Sequence, residues 1–225
     1  MKNIILILAL VLAFGLMGCV GETTTDDGNV STVDGETSDV NSGEEETDFW
    51  EFLNTKTSGE WYVNYNVIEN GNIVGVTKMY KSGDKIRTDI ETGDTEARAY
   101  MDGTMYYICA NSQVWICYSI DTSENNGDIE GKVDSELQAN KDKYTVVKVS
   151  DRNVAGTTAS CYTINGIEES NVEYCFSKEG IPLYTKITGG DKGDIITEAT
   201  EYSTSVSNSD FVLPAEPQKF GNLGY

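Results

Sequence analysis

The chain has 225 residues, with 16 Lys and Arg against 37 Asp and Glu, so its formal net charge is −21, and it contains no histidine. Such an acidic surface repels phosphate groups, which makes nucleic acid an unsuitable partner. Without histidine, Ser-His-Asp and Cys-His catalysis are not available.

Catalysis by other groups has little support in the sequence. It contains no glycine-rich phosphate loop and no nucleophile elbow. Paired carboxylates can act as acid and base, but with 37 acidic residues no particular pair is indicated. We therefore predict no catalytic residues, no cofactor and no enzymatic activity.

Residues 1–18 have the pattern of a secretory signal peptide. Lys2 precedes an apolar run from Ile4 to Met17, and small residues stand at Gly15 and Gly18. The run is 14 residues long, whereas a helix needs roughly 17 to 25 residues to span a hydrocarbon core. We expect a cleaved signal rather than a permanent transmembrane anchor.

The segment Leu16-Met17-Gly18-Cys19 resembles the lipobox of bacterial and archaeal lipoproteins, since a cysteine follows small residues where the apolar run ends. The resemblance implies cleavage before Cys19 and a lipid thioether on that residue. Because each buried CH₂ group contributes about 0.8 kcal/mol, a lipid pair would hold the chain to the extracytoplasmic face of a membrane. The alternative is an ordinary signal peptide followed by a stray cysteine.

Residues 19–47 are predicted to form a disordered acidic tether. Between Val20 and Thr47 the sequence has no aromatic residue and no Lys or Arg, so it cannot bury enough apolar area to offset chain entropy. The run Glu44–Glu46 is interpreted as solvated charge. Asn29 begins an Asn-Val-Ser sequon, which matters only in a host that glycosylates exported proteins.

The pattern of a β-rich domain extends over residues 48–214, and all 13 tyrosines lie after residue 60. Asn70-Gly71 and Asp102-Gly103 predict two-residue hairpin turns, because both positions tolerate positive φ. Ten or eleven short strands favour one large antiparallel sheet, strongly curved into a half-barrel. Two short helices are predicted at 48–53 and 135–143. The predicted class is α+β, and residues 215–225 are assigned to a C-terminal tail.

Four cysteines remain after Cys19, and an even number in an exported domain indicates disulfides. Four cysteines allow three disulfide connectivities, and the predicted strand register favours one of them. Cys109 and Cys117 would lie opposite each other across a short loop, as would Cys161 and Cys175. We therefore predict the pairs Cys109–Cys117 and Cys161–Cys175. A reactive or metal-binding thiol set is the alternative, but CxxC spacing is absent and no histidine can complete it.

A calcium loop is suggested by the oxygen-bearing side chains from Asp121 to Asp128. Its sixth position is Asn126, where an EF-hand requires Gly, and its twelfth is Lys132, where a bidentate Glu is required. We interpret the segment as a polar loop and predict no metal site.

Several short sequence segments resemble those of the LolA/LppX-like group of lipoprotein and lipid carriers. They are Lys78-Met79-Tyr80 before Gly83–Arg87, Cys175-Phe176 before Gly180–Tyr184, and the ending Ser209–Pro214. The resemblance covers about residues 48–214. It implies an incomplete barrel with helices at its mouth, enclosing an apolar cavity that binds acyl chains. No ligand residue can be transferred position by position.

The candidate lining of such a cavity is formed by large apolar residues, among which flexible methionines suit an adaptable site. The candidates are Trp61, Met79, Met101, Met105 and Trp115, together with the tyrosines as a group. Two functions follow from the sequence. The first is an anchored protein that binds or carries an apolar or amphiphilic ligand such as lipid. The second is a surface structural or interaction module in which these residues fill a core. The oligomeric state is not indicated.

Overall fold

The computed structural model describes residues 49, 59–121, 143–167, 170–188 and 193–219. Its described part is built on a single sheet of twelve strands. The strands are β1 (Trp61–Glu69), β2 (Asn72–Ser82), β3 (Lys85–Thr92), β4 (Thr95–Asp102), β5 (Met105–Asn111), β6 (Trp115–Asp121), β7 (Thr145–Val154), β8 (Thr157–Ile167), β9 (Ser170–Phe176), β10 (Pro182–Thr188), β11 (Ile195–Ser203) and β12 (Pro217–Lys219). A 3₁₀ helix covers Asn208–Phe211.

The strand order is β12-β6-β5-β4-β3-β2-β1-β11-β10-β9-β8-β7. All neighbours pair antiparallel except β12, which runs parallel to β6 with Pro217 opposite Cys117. β12 comes from part of the segment assigned to the C-terminal tail. The last strand thus supplies backbone partners to β6, which would otherwise be an open edge of the sheet.

The predicted α+β class is wrong. The structure is mostly one mixed sheet of twelve strands, and the described residues contain no helix of seven or more residues. Of the predicted helix at 48–53 only Phe49 is described, and of that at 135–143 only Lys143; the rest of both lies outside the described residues. Nor does any helix in the described part have the length and apolarity needed to cross a membrane.

The predicted Asn70-Gly71 turn is present, whereas the turn predicted at Asp102-Gly103 is displaced by one residue, to Gly103-Thr104. Asn70 and Gly71 have φ of 50° and 79°, and Glu69 pairs with Asn72 across them. Gly103 has φ of 61°, and Asp102 pairs with Met105. Both turns therefore use the left-handed conformation that Asn and Gly adopt most readily.

A continuous register from β1 to β6 divides the side chains between two faces, because successive residues of a strand point to opposite sides. The first is here called the apolar face. It consists of Trp61, Val63, Tyr65, Val67, Gly75, Thr77, Met79, Lys81, Ile86, Thr88, Ile90, Thr92, Thr95, Ala97, Ala99, Met101, Tyr106, Ile108, Ala110, Ile116, Tyr118 and Ile120.

The opposite side is here called the polar face. It consists of Tyr62, Asn64, Asn66, Val76, Lys78, Tyr80, Ser82, Lys85, Arg87, Asp89, Glu91, Glu96, Arg98, Tyr100, Asp102, Met105, Tyr107, Cys109, Asn111, Trp115, Cys117, Ser119 and Asp121. Tyrosines and charged residues dominate this face.

The main hydrophobic core lies around β1, where Trp61, Val63 and Tyr65 pack with residues of β7 to β11. β7 approaches β11 although three strands separate them in the sheet order, so the sheet is strongly curved at this end. A second cluster places Phe49 against Tyr162 and other residues of β7 to β9. This packing leaves β3 to β6 outside the main core.

Both predicted cysteine pairs lie at bonding distance. Cys109 and Cys117 are directly opposed on β5 and β6, with an S–S distance of 2.08 Å. Cys161 and Cys175 are opposed on β8 and β9, with an S–S distance of 2.04 Å. Each joins neighbouring strands whose register already places the two side chains on one face.

We expect non-reducing peptide mapping of the exported protein to recover these two linked pairs. The bridges close loops with sequence separations of 8 and 14, so removal of either by a double Cys→Ala substitution should cost about 2–3 kcal/mol of stability. Crossed pairs, or free thiols in protein exported by its own host, would contradict the assignment.

Candidate functional site

The strand register places the five residues predicted to line a cavity on two different faces of the sheet. Trp61, Met79 and Met101 belong to the apolar face. Met105 is opposite Asp102, and Trp115 is opposite Asn111, so both belong to the polar face. One continuous surface therefore unites three of the five candidates and leaves out the other two.

Trp61 and Met79 lie at the end of the apolar face that joins the main core. Trp61 is buried in the core cluster. Met79 is partly buried and packs against the same cluster. These two residues are therefore part of the hydrophobic core. Met101 lies on β4, two strands farther from β1 than Met79, and is only half-buried.

The outer part of the apolar face, on β3 to β6, is apolar and incompletely buried. Apart from Ile90, which is only 5% exposed, its large side chains are half-buried or, in the case of Ile116, 40% exposed. The set comprises Ile86, Met101, Tyr106, Ile108, Ile116, Tyr118 and Ile120. Burial raises the pKa of the Tyr106 hydroxyl. Among the described residues, none of the three buried hydrophobic clusters includes these side chains.

Most residues of this outer surface are absent from the sequence-based candidates. Residue type alone predicts Met, Trp and Tyr as lining residues and gives no reason to include the isoleucines. The other residues can be identified from the alternation of side chains along each strand. On β5, for example, Tyr106, Ile108 and Ala110 lie on one face, and Tyr107 and Cys109 lie on the other. Counting alternate positions across the hairpins gives the whole surface.

The polar face has a different construction, centred on Asp89. Arg87 donates to Asp89 from Nε at 2.7 Å and from Nη2 at 2.5 Å. Arg98 Nε lies 3.7 Å from Asp89 Oδ2, and Arg98 Nη2 donates to Glu96 at 2.8 Å. The carboxylate of Asp89 thus balances two guanidinium groups on neighbouring strands.

Aromatic rings surround these guanidinium groups. Arg87 lies over Tyr80, 4.7 Å from the ring centroid, and 5.6 Å from that of Tyr100. Arg98 lies 4.4 Å from the centroid of Trp115. Contacts of this kind stabilise a cation on a ring face. Trp115, whose register places it on the polar face, therefore contacts the charge network.

The C-terminal segment covers part of the polar face. Arg87 Nη1 donates to the carbonyl oxygen of Asp210 at 2.5 Å. Leu213 and Ala215 pack against the cluster formed by Tyr100 and the Cys109–Cys117 bridge. This part of the polar face is therefore covered by the chain itself, and within the described residues the outer apolar face is the better candidate for a ligand.

A cluster of potential metal ligands joins Cys161, Glu173 and Cys175. The two sulfurs are bonded to each other, so they are not thiolates and cannot act as ordinary metal ligands. Within the described residues this cluster is therefore a disulfide beside a carboxylate.

The fold defines a class of domain in which one large curved sheet has an apolar and a polar side. No protein-family model matches the sequence, and no curated protein matches it. Among solved structures, MucB has a TM-score of 0.54 at 14% identity, over 78% of this chain and 65% of that one. MucB in complex with MucA(peri) has a TM-score of 0.50 at 12% identity, over 77% and 60% of the two chains.

The MucA/MucB complex of Pseudomonas aeruginosa has a TM-score of 0.51 at 10% identity, over 77% of this chain and 61% of that chain. This chain thus spans 60–65% of the length of these three chains. The similar structures also include a LolA superfamily protein from Nitrosomonas europaea, with a TM-score of 0.31 at 10% identity, over 76% and 97% of the two chains. The likeness to MucB extends to the fold alone.

Proposed function

We propose that this protein is an extracytoplasmic lipoprotein that binds an apolar or amphiphilic ligand, such as a lipid, on the outer part of the apolar face. The observation that carries the proposal is the division of β1 to β6 into two chemically distinct faces. One face contains a charge network covered by the C-terminal segment. The other presents Ile, Met and Tyr side chains that are only half-buried.

The composition of the outer apolar face suits a ligand held by apolar burial. Ligand sites are mostly apolar surfaces with a few placed polar groups. Removing a large aliphatic or aromatic side chain from water contributes roughly 1.5–3 kcal/mol, so partial burial of several such residues would give useful affinity. Met101 adds a flexible side chain that can adapt to acyl chains of different shape.

The charge of the protein supports the same choice of ligand. With a net charge of −21, the protein would repel polyanions at long range. Apolar burial is insensitive to simple salt screening. We therefore expect affinity for a lipid-like probe to change little between low and physiological ionic strength.

Met101 and Met105 provide a matched test of the site. The two residues lie on adjacent strands at the same hairpin, both half-buried, but on opposite faces of the sheet. Met101→Glu would place a carboxylate against the ligand, where it loses solvation without a partner. We expect affinity for a fluorescent fatty-acid analogue to fall about tenfold or more in Met101→Glu.

Met105→Glu is the control for that experiment and should bind the analogue as the unsubstituted protein does. Circular dichroism of both variants checks that the sheet is intact. Equal loss in both variants, or saturable binding that neither variant alters, would place the ligand elsewhere. Native mass spectrometry that finds no co-purified lipid, together with no analogue binding, would reject the proposal.

A protein partner on the same surface is the second candidate. It is favoured by the likeness to MucB, which has been crystallised in complex with MucA(peri). An apolar peptide face could occupy Ile116 and Ile120 on β6, close to the edge of the sheet. In that case Ile116→Asp should remove a cross-linked partner in the native host while the protein carries no lipid.

A further inference from the structure

Six large apolar residues in the described part of the chain are exposed. Because neighbouring strands from β1 to β11 run antiparallel, β2, β6 and β7 all begin at the end of the sheet where β1 turns into β2, here called the β1–β2 end. The sixth residue, Val212, lies on the C-terminal segment. Single exposed apolar residues are normal, whereas several at one place indicate an interaction site. The five residues next to these strand starts are Ile73, Val74, Val114, Ile116 and Val147.

The strand register places the tips of the β1–β2 and β5–β6 hairpins at the same level. A single row of directly opposed residues crosses β2 to β6 and consists of Val76, Glu91, Glu96, Asn111 and Trp115. Val74 and Ile73 lie two and three residues beyond this row, and Val114 lies one residue beyond it. Neighbouring strands are about 4.8 Å apart, so four strand spacings, roughly 19 Å, separate the two tips. Both tips can therefore contact one extended surface.

The two ends of the sheet differ in charge. At the β1–β2 end, the turns at 70–71, 93–94 and 112–114 contain no Lys or Arg, and their one charged residue is Asp94. At the opposite end, the exposed residues Asp84, Lys85 and Asp102 border the β2–β3 and β4–β5 turns. None of the exposed large apolar residues of the described strands lies at that end. The β1–β2 end is thus the apolar one, and it offers no attraction to anionic groups.

The turn that presents Val114 has a strained backbone. Gln113 has φ of 139°, a conformation that residues other than glycine rarely adopt. The backbone amide of Gln113 donates to Asn111 Oδ1 at 3.3 Å, and the Cys109–Cys117 bridge closes the same hairpin. Strain of this kind persists where the surrounding structure imposes it, and it clusters at functional sites. The hairpin therefore holds Val114 in solvent, 66% exposed.

We propose that the β1–β2 end docks on the surface of a zwitterionic lipid bilayer, with the side chains of Ile73, Val74 and Val114 inserted among the lipids. The inference rests on the proposed function, because lipid on Cys19 would hold the domain beside that surface. The 29 residues between Cys19 and Phe49 reach at most roughly 100 Å, so the anchor allows this end to face the bilayer. The contact itself is weak and depends on the high local concentration that the tether provides.

The docked end adjoins the outer apolar face. Ile116 follows Val114 by two residues, is 40% exposed and belongs to that face. Tyr118 is the next residue of the same face along β6. An acyl chain that leaves the bilayer beside Val114 would meet these side chains in turn. The bilayer is thus the source of the lipid that the proposed function assigns to the outer apolar face.

Hydrogen exchange of the lipidated full-length protein on phosphatidylcholine vesicles tests the docking. Exchange of residues 70–74 and 112–115 should slow about tenfold relative to released Cys19→Ser protein in solution, because insertion excludes water from these backbone amides. The turns at 83–84 and 103–104 lie at the opposite end of the sheet and should exchange equally in both samples. Replacing part of the phosphatidylcholine by anionic phosphatidylglycerol should reduce the slowing, because the whole chain is strongly acidic.

Two substitutions and one control locate the contact. Ile73→Asp and Val114→Asp should each remove the slowing, because an inserted carboxylate loses its hydration without a partner. Val212→Asp makes the same change of charge at a valine that is 65% exposed. Val212 lies on the C-terminal segment, where its carbonyl oxygen accepts a hydrogen bond from Tyr100, so this variant should keep the slowing.

The outcomes separate this inference from the proposed function. Exchange that vesicles do not alter, while released protein still binds the fluorescent fatty-acid analogue, would overturn docking and leave ligand binding standing. Equal effects of Val114→Asp and Val212→Asp, or stronger slowing on anionic vesicles, would also overturn docking through the apolar tips. A protein cross-linked to the 112–114 turn in the native host, without slowing on vesicles, would assign the β1–β2 end to a protein partner instead. Absence of both slowing and analogue binding would overturn both proposals.

Discussion

Asp89→Asn should destabilise the fold by about 3 kcal/mol or more, within the range measured when one partner of a buried ion pair is removed. The Asp89 side chain is only 5% exposed and is bonded to Arg87 through two nitrogens. Arg98 lies next to the same carboxylate. Without the negative charge of Asp89, the positive charges of the two guanidinium groups would stay close together under the C-terminal segment, and their repulsion and lost hydration would not be offset.

Urea unfolding measured by tryptophan fluorescence checks this expectation. Glu91→Gln is a suitable control, because Glu91 lies two residues further along β3 on the same face and pairs with Lys78. The Glu91 side chain is 44% exposed, so its removal should cost less than about 1 kcal/mol. Equal losses for the two variants would show that the Asp89 network contributes no more than a surface ion pair.

The Asp89 network also connects the sheet to the C-terminal segment. Arg87 bonds at once to Asp89 and to the backbone of Asp210, and Tyr100 donates to the carbonyl of Val212 at 3.4 Å. The 3₁₀ helix itself contains no buried residue. Its position therefore depends on these polar contacts and on the packing of Leu213 and Ala215.

The local parts of the fold could be predicted from the sequence because they depend on the period of a strand. Alternation and the Asn70-Gly71 turn give the β1–β2 hairpin directly. The same parity places Cys161 opposite Cys175. These features depend on neighbouring residues and on tight turns, where the sequence has a strong and specific signal.

Features that depend on distant contacts could not be predicted in this way. β12 has three residues and starts with Pro217, which cannot donate a backbone hydrogen bond. Its pairing with β6 follows from the path of the C-terminal segment across the polar face. The sequence therefore suggested a tail and an entirely antiparallel sheet, and the structure corrects the latter to a mixed sheet.

The candidate site was only partly predictable for a related reason. Met101 and Met105 are four residues apart, a spacing that would place them on one face of a single strand. They belong instead to the two strands of a hairpin, and Met105 pairs with Asp102, whose side chain is opposite to that of Met101. Residue type alone does not show that the two methionines lie on opposite faces. The Gly103 turn between them does, because it reverses the chain and sets the register of the two strands.

Cys19→Ser should abolish membrane attachment of the exported protein, the largest effect that we expect from any single substitution. The reason is that attachment is expected to come from lipid on Cys19, since an acidic surface is repelled by anionic head groups. Each buried CH₂ group contributes about 0.8 kcal/mol, so the loss of a lipid pair removes essentially all membrane affinity. Fractionation of cells that express either form, followed by detection of the protein, measures this directly.

Intact mass of the membrane-extracted protein completes that test. The unsubstituted protein should lack residues 1–18 and carry added mass of lipid on the new N-terminal Cys19. Val20→Ala is a matched control, because it changes the neighbouring residue and keeps the cysteine; it should fractionate with membranes as the unsubstituted protein does. Unlipidated protein in the membrane fraction, or unchanged attachment of Cys19→Ser, would contradict anchoring through this residue. Retention of the fatty-acid site in released Cys19→Ser protein would further show that ligand binding on the apolar face is independent of the anchor.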